Sequence, residues 1–444
     1  MSEPSDQHSS ATRWRNWAGD QACAPVTLQR PGSTQELSAA LELAQARGWR
    51  VRVVGAGHSF SDIACSEEMQ LSLERLQDVL EVDRAAGLVR VQAGITINAL
   101  SRRLDEHGLA MENLGDIDVQ SIAGAISTAT HGTGAGLGNI SSQVVGLKLV
   151  LADGSTLSCS AQQEPEVFRA ARVGLGSLGA IAEVTLRCVP AFALHGIDAP
   201  APLDETLERF EQLALGNDHF EFFVFPYAET ALTRTNNRTE QPPSPRGRIA
   251  AYANDVLLTN HAFGLFCRLG RRVPGAIPQI NRLVTRLAGR SERVERSASI
   301  FASPRLVRFT EMEYALPRER IPEAVRRVME MIERRGLAVP FPIEVRTVAP
   351  DDAFLSTANG RETGFVAVHM FKGMEWRPYF EFVEAIMSEL DGRPHWGKRH
   401  FQTAATLRGR YPDWDRFQAV RARLDPQGRF GNAWTDRVLG PVSG

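Results

Sequence analysis

The sequence predicts an α+β protein of two domains, and three observations carry that expectation. The chain has 444 residues, more than one small hydrophobic core accommodates. Strand-like and helix-like segments alternate without a regular βαβ period, which argues against a doubly wound parallel sheet. After Pro190 the texture shifts to aromatic strands, a Pro/Arg-rich loop and long helical stretches, so a domain boundary is expected near residue 190.

Composition narrows the function classes. A hydrophobic fraction of 43% and a charged fraction of 23% are ordinary for a soluble protein. The formal net charge of −2, with no extended basic stripe, sets nucleic-acid binding aside. No stretch reaches the length of a membrane span. Association with a membrane surface is left open, although nothing in this reading asks for it. Residues 1–17 read as a polar, disordered tail without the pattern of a secretion signal. The five cysteines are scattered and never spaced as Cys-x-x-Cys, which suggests neither a disulfide framework nor a metal site and fits a reducing, cytoplasmic setting.

The elements follow in order. Ser33 and Glu36 have capping-box spacing, Leu37, Ala40, Leu41 and Ala44 share one helical face, and Gly48 ends the run. Arg50 to Val54 is a short strand leading into Gly55-Ala56-Gly57-His58-Ser59-Phe60. A hairpin is expected around Ala85-Ala86-Gly87, between strands Val79–Asp83 and Leu88–Gln92, and then a helix from Thr96 to His107. Ser121 to Gly138 is rich in glycine and alanine. Val144–Leu151 and Thr156–Cys159 form another hairpin, a short helix spans Glu166–Ala171, and Ala180–Val189 is a strand. Beyond residue 190, strands are expected at Glu221–Phe225, Arg308–Tyr314, Phe341–Val348 and Gly364–Phe371. Helices are expected from Thr259 to Leu287, broken near Pro274 to Pro278, and from Pro322 to Arg335, with a loop over Gln241–Arg248.

Gly174 to Gly179 fits G-x-G-x-x-G, but the dinucleotide fingerprint needs a strand before it and a helix after it. Here a helix precedes and a strand follows. Gly55-Ala56-Gly57 does follow a strand, yet Phe60 stands where the third glycine belongs. A Rossmann domain is therefore a poor reading. Glycines in these loops still allow backbone N–H groups to approach phosphate oxygens.

Five segments occur in order: Val53 to Phe60, Thr130-His131-Gly132-Thr133-Gly134, Gly174 to Gly179, Glu344-Val345-Arg346 and His395-Trp396-Gly397-Lys398. Together they resemble the vanillyl-alcohol-oxidase-type flavoenzymes, and within them the sugar-1,4-lactone oxidases and dehydrogenases, from about Ala18 to the C-terminus. The resemblance implies a two-domain FAD-binding (PCMH-like) fold with an antiparallel-sheet cap. It places the FAD domain at 18–190, the substrate domain at 191–395, and a segment at 396–444 returning to the FAD domain.

The same resemblance implies FAD bonded covalently to His58, with Gly55, Ala56, Gly57, Ser59 and Phe60 around it. Ser121, Gly124, Ala125, Ser127, Thr130, Gly132, Gly176, Gly179 and Ile181 would run beside the cofactor. His131 reads equally as a pocket residue or a turn histidine. A small residue near Gly124–Ala125 is implied in oxygen access to the flavin ring, without deciding oxidase against dehydrogenase.

Strand alternation puts Glu344 and Arg346 on one face, and His369 on a face with Phe365, Ala367 and Phe371. A surface ion pair and a buried core histidine are the plain structural readings. In the family pattern Glu344 and Arg346 lie under the substrate. Arg346 and Lys398 are suited to stabilise developing negative charge, and His369 is a candidate proton acceptor.

The activity implied is oxidation of an aldono-1,4-lactone at the carbinol next to its carbonyl, with oxygen or a redox carrier as acceptor. An alditol oxidase acting on a terminal primary alcohol is the alternative. The lactone is preferred because residues 236–296 resemble the lactone enzymes more than the compact alditol oxidases. A flavin-binding protein without activity is disfavoured, since His58, Glu344, Arg346 and Lys398 are all present.

Overall fold

The computed structural model describes residues 13–244, 261–302 and 305–442. The N-terminal part of the chain builds two sheets. Thr27–Gln29, Met69–Ser72 and Val51–Val54 form a parallel three-stranded sheet with Met69–Ser72 in the middle. Thr156–Ser160, Val144–Val150, Ala180–Arg187, Leu88–Gln92 and Val79–Asp83 form, in that spatial order, an antiparallel five-stranded sheet. The helix Thr34–Arg47 covers them with Leu37, Ala40, Leu41 and Ala44. Its Ser33 side chain accepts from the Glu36 N–H, and Gly48 closes it at a φ of 70°, a left-handed position that glycine adopts without strain.

Residues beyond 190 build an eight-stranded sheet. Its order is Ser291–Arg296, Ala193–Pro202, Thr230–Thr239, His219–Val224, Ile343–Val348, Thr363–Phe371, Phe309–Pro317 and Arg393–Pro394, antiparallel throughout. Helices Ile321–Arg335 and Arg377–Glu389 cover one face and meet Val345, Val366, Val368 and Met312 in an apolar core. The opposite face of the same strands carries Glu344, Arg346, His369, Glu311 and Glu313. It is buried as well, because the N-terminal domain closes over it. This position is what makes the alternation functional: charged residues on a strand with both faces covered are retained only where they are paired.

The C-terminal helices Trp414–Leu424 and Ala433–Leu439 pack Phe417, Trp434 and Leu439 into the core of the N-terminal domain. Phe354 and Trp396 join the same core. No helix of the described residues is long and apolar enough to cross a membrane.

The structure differs from the sequence expectations in two places. Trp14–Arg15 pairs with Ala22–Cys23, so residues 14–17 are ordered; two half-buried tryptophans there pack their rings against the His58 loop. The helical region breaks near Pro274 as expected, into Phe263–Arg272 and Ile277–Leu287, and residues 259 and 260 lie outside the described residues. The expected Ala180–Val189 strand ends at Arg187, and Val189–Pro190 pairs separately with Leu109–Ala110. Of the Gln241–Arg248 loop, only residues 241–244 are described.

His400 shows what burial does to a group with no partner. Neither ring nitrogen has a hydrogen bond, and the ring lies edge-on to Trp396 and Trp434. Burial, with Arg437 and His395 nearby, pushes its pKa down to about 3. The unfolded chain therefore binds one more proton than the folded one between about pH 6.5 and the folded value, so stability falls as pH drops through that window. His400→Leu is expected to remove close to one proton from this dependence, about a tenfold change in the folding equilibrium per pH unit. Urea unfolding between about pH 6 and pH 4 measures it.

Candidate functional site

Strand Val51–Val54 ends at Gly55, and the next residues turn across a long cleft. A side chain at Gly55 would place its Cβ 2.3 Å from Ser121 Oγ. Gly57 has a φ of 69° and faces the Trp14 ring, 3.1 Å from where a Cβ would stand. The second wall is the short helix Ile122–Ser127, whose Ser121 cap accepts from the Gly124 N–H at 3.3 Å. The third is the loop carrying Gly176 and Gly179, at φ values of 62° and 144°. Three glycine-rich loops distant in sequence thus converge where any Cβ would narrow the cleft.

Beneath them lies Arg52, fully buried. It donates to the carbonyls of Ile63, Leu175, Gly176 and Phe430 at 2.6–3.1 Å. All four acceptors are neutral, and burial together with Arg421 lowers its pKa to about 10. A cation without a carboxylate partner, lining a cleft of accessible backbone, fits a dinucleotide's diphosphate. FAD would be held there by the residues of the three loops.

Gly55, Ala56, Gly57, His58, Ser59, Ser121, Gly124, Ser127, Gly176, Gly179 and Ile181 line this cleft. Phe60, Thr130 and His131 line an adjoining chamber instead, which shares His58, Ser59, Gln120 and Thr128 with the cleft. Ala125 and Gly132 line neither. Ala125 is fully buried in the domain core, and Gly132 packs so closely on Leu114 and Asn113 that a Cβ would lie 2.1 Å from the Leu114 carbonyl oxygen.

His58 stands where the two spaces meet. Its ring stacks on Trp17 with centroids 5.5 Å apart. Burial, then Lys398 and Arg308, lower its pKa to about 4, so the imidazole is neutral at physiological pH. The loop is pinned from the far side: the Phe60 N–H donates to the Gly397 carbonyl at 2.7 Å. Trp396, wholly buried, fixes that turn through its Nε1–H to the Leu355 carbonyl at 2.7 Å.

Glu344, Arg346, His369 and Lys398 all line the chamber. Arg346 Nε donates to Glu221 Oε2 at 2.8 Å, and its Nη2 meets Glu344 and, at 3.6 Å, Asp116. Burial disfavours the Asp116 carboxylate, but Arg305, its ion-pair partner, and Arg346 outweigh it and hold its pKa well below the usual range. Glu344 goes the other way: burial, with Asp116 and Glu221 adding to it, raises its pKa against the pull of Arg346. Two neighbouring carboxyl groups are therefore driven apart in acidity.

Lys398 Nζ lies 2.5 Å from Glu311 Oε2 and 5.2 Å from the centre of the Phe60 ring. Burial works against its charge, but Glu311 and Glu313 raise its pKa above the ordinary value. His369 Nδ1 faces the Pro342 carbonyl at 3.2 Å and so carries the hydrogen there. Its Nε2 faces the carboxylates of Glu311 at 3.6 Å and Glu344 at 3.9 Å.

His131, Glu313 and His395 bring one potential ligand atom each within 4.8 Å of one another. Their hydrogen bonds argue against a metal. His131 Nδ1 faces the Gly132 carbonyl at 2.8 Å, and its Nε2 is 3.2 Å from Glu313. His395 Nδ1 accepts from the Gly397 N–H at 3.1 Å, so in the neutral ring its hydrogen is on Nε2 and no lone pair is left for an ion. Burial lowers the His395 pKa to about 3, which keeps that ring neutral.

Sequence reasoning missed Asp116, Arg305, Glu311 and Glu313 in the chamber, and Trp14, Trp17 and Arg52 around the cleft. Glu311 and Glu313 carried a signal: two acids spaced by two within an apolar strand. Asp116 and Arg305 carried none.

The sequence matches the family described as D-arabinono-1,4-lactone oxidase over residues 184–438, and the FAD binding domain over residues 25–160. L-gulono-1,4-lactone dehydrogenase of Mycobacterium tuberculosis is 52% identical over 96% of this chain and 99% of its own. L-gulonolactone oxidase of Bos taurus is 35% identical over 96% and 98%. Among solved structures, cholesterol oxidase from B. sterolicum superposes with a TM-score of 0.80 at 17% identity, covering 97% of this chain and 96% of that one, a likeness of fold. With matches that run through both domains, the chain belongs to the D-arabinono-1,4-lactone oxidase family and carries that family's FAD-binding domain.

Proposed function

We propose that this chain is an FAD-dependent oxidoreductase that oxidises an aldono-1,4-lactone, of the L-gulono or D-arabinono type, at the carbinol next to the lactone carbonyl. The observation that carries the reading is the charged chamber opening onto the cofactor cleft at His58, with Glu344, Arg346, His369 and Lys398 on its walls. Bound FAD supplies the acceptor for the hydride lost from the carbinol carbon, and its electrons pass on to oxygen or a redox carrier.

The chain's own residues provide the rest. His369 Nε2 is placed to take the hydroxyl proton. Lys398 and Arg346 are fixed cations for the negative charge that develops as the proton and hydride leave. Glu344, held against the Arg346 guanidinium, is suited to accept a hydrogen bond from a substrate hydroxyl. The walls are preorganised because every cation already has its carboxylate, so little reorganisation accompanies the reaction. Five free cysteines support a reducing, cytoplasmic setting.

Anaerobic mixing with gulono-1,4-lactone, arabinono-1,4-lactone and xylitol tests the substrate class through bleaching of the flavin. Bleaching by either lactone and not by xylitol is the expected result; bleaching by xylitol alone would make the chain an alditol oxidase.

We further propose that His58 bonds the flavin. A neutral imidazole keeps the lone pair that a carbon–nitrogen bond requires, and Trp17 holds the ring in place. After acid precipitation the yellow colour should stay with the protein pellet and move wholly to the supernatant in His58→Ala. Release from the unmodified protein would remove the bond and leave the FAD assignment standing.

A further inference from the structure

The helices Phe263–Arg272 and Ile277–Leu287 turn their leucines outward, and the second does so over a partly polar inward face. The inward face of the second is Ile277, Asn281 and Thr285, and Asn281 Nδ2 donates to the carbonyls of Pro226 and Val339 at 3.1 and 3.0 Å. Polar side chains thus tie this helix to the protein while the leucines point outward. Leu265, Leu269, Leu283 and Leu287 are 59%, 46%, 49% and 73% exposed, and Val273 between the helices is 50% exposed. A surface helix ordinarily turns its leucines to the core.

The charged residues interleaved with those leucines all carry one sign. From His261 to Ser291 the sequence has six arginines and no Asp or Glu, in a chain of net charge −2. Arg268, Arg272, Arg282 and Arg286 are exposed on the same helices. Beside the first helix lies a cavity of about 390 Å³ lined by Arg268, Arg271, Arg308 and Lys372.

We propose that this two-helix face docks on an anionic membrane surface, with the leucines entering the headgroup region and the arginines pairing with lipid phosphates. Outward leucines on a helix whose charge is wholly cationic are the pattern of an interfacial helix. A second copy of the same face is disfavoured, because a two-fold contact would set its arginines against their own copies. The face is also joined to the flavin site. Phe263 packs on Phe341 with centroids 4.8 Å apart, Phe341 on Phe309 at 5.4 Å, and Phe309 on Phe60 of the His58 loop at 5.5 Å. A docked molecule would hold the His58 side of its flavin site toward the lipid.

The test is co-sedimentation of the full-length, flavin-loaded protein with vesicles of phosphatidylcholine alone or mixed equally with phosphatidylglycerol. Two variants are compared: Arg268→Gln with Arg272→Gln and Arg286→Gln, and the four leucines changed together to serine. All these side chains are at the surface, so an unchanged flavin spectrum and lactone turnover show that the variants are folded. The expected result is binding to the anionic vesicles only, weakened by salt. The arginine variant should lose roughly a hundredfold in affinity, at about fivefold for each charge, and the leucine variant should lose the interaction. Absence of sedimentation with anionic vesicles would overturn the proposal, as would sedimentation that both variants retain. Self-association abolished by the leucine changes, without lipid binding, would overturn it in favour of a second copy.

Discussion

Lys398→Ala is expected to slow reduction of the bound flavin by lactone by about 10²–10³-fold, the usual loss when one preorganised electrostatic partner is removed from a reacting centre. Lys398 is one of three lysines in the sequence, where arginine carries nearly all the positive charge. A compact ammonium suits a position that must present charge to a small reacting group and not grip a planar carboxylate. Its place is set from two sides, by Glu311 at 2.5 Å and by the turn that Trp396 and the Phe60 N–H hold. The variant should keep its flavin, because Lys398 lines the chamber and not the glycine-rich cleft. Anaerobic stopped-flow at saturating lactone separates the reduction rate from binding. A rate unchanged by the substitution would remove Lys398 from the mechanism. Glu311→Gln tests whether its carboxylate positions the lysine: it should lower the same rate by a smaller factor and shift the pH profile, since Glu311 also faces His369.

The glycine-rich loops were legible in the sequence because each follows a physical rule. Gly55 and Gly57 succeed a strand, and Gly176 and Gly179 occupy backbone conformations that favour glycine. The Glu344–Arg346 pair was legible for a second reason: strand alternation is local, and residues two apart must share a face. What alternation does not reveal is the partner across the sheet. Glu311 stands opposite His369 only through the register of Phe309–Pro317 against Thr363–Phe371, so its role depends on a pairing across more than fifty residues. Asp116 and Arg305 lie outside helices and strands, with no periodicity to mark them. Trp14 and Trp17 were hidden by their neighbourhood, since a polar leader reads as disorder until the surface that takes the two rings is known. The outward leucines of Ile277–Leu287 were obscured for a related reason. Periodicity announces a helix, but which face is buried depends on the carbonyls of Pro226 and Val339 that receive Asn281.

Arg346→Ala is expected to have the largest effect on stability, about 3–5 kcal/mol, the range for breaking a buried ion pair from one side. The guanidinium bridges Glu221, Glu344 and Asp116; Asp116 and Glu221 each have a second arginine in ion-pair contact, Arg305 and Arg234 respectively, whereas among the described residues Glu344 has none. Glu344 would be left buried among carboxylates, so it must take up a proton in the folded state. Arg346→Lys should recover little, because an ammonium cannot reach Glu221 with one edge and Glu344 with the other as the planar fork does. The pH dependence gives the mechanism its signature. With Arg346 absent, the folded pKa of Glu344 rises further above its unfolded value, so the folded variant binds the extra proton and gains stability as pH falls toward that value. The gap between Arg346→Ala and the unmodified protein should therefore narrow between about pH 7 and pH 5, measured by urea unfolding at each. A gap constant across that interval would mean that the loss comes from packing of the arginine's stem and not from the stranded carboxylate.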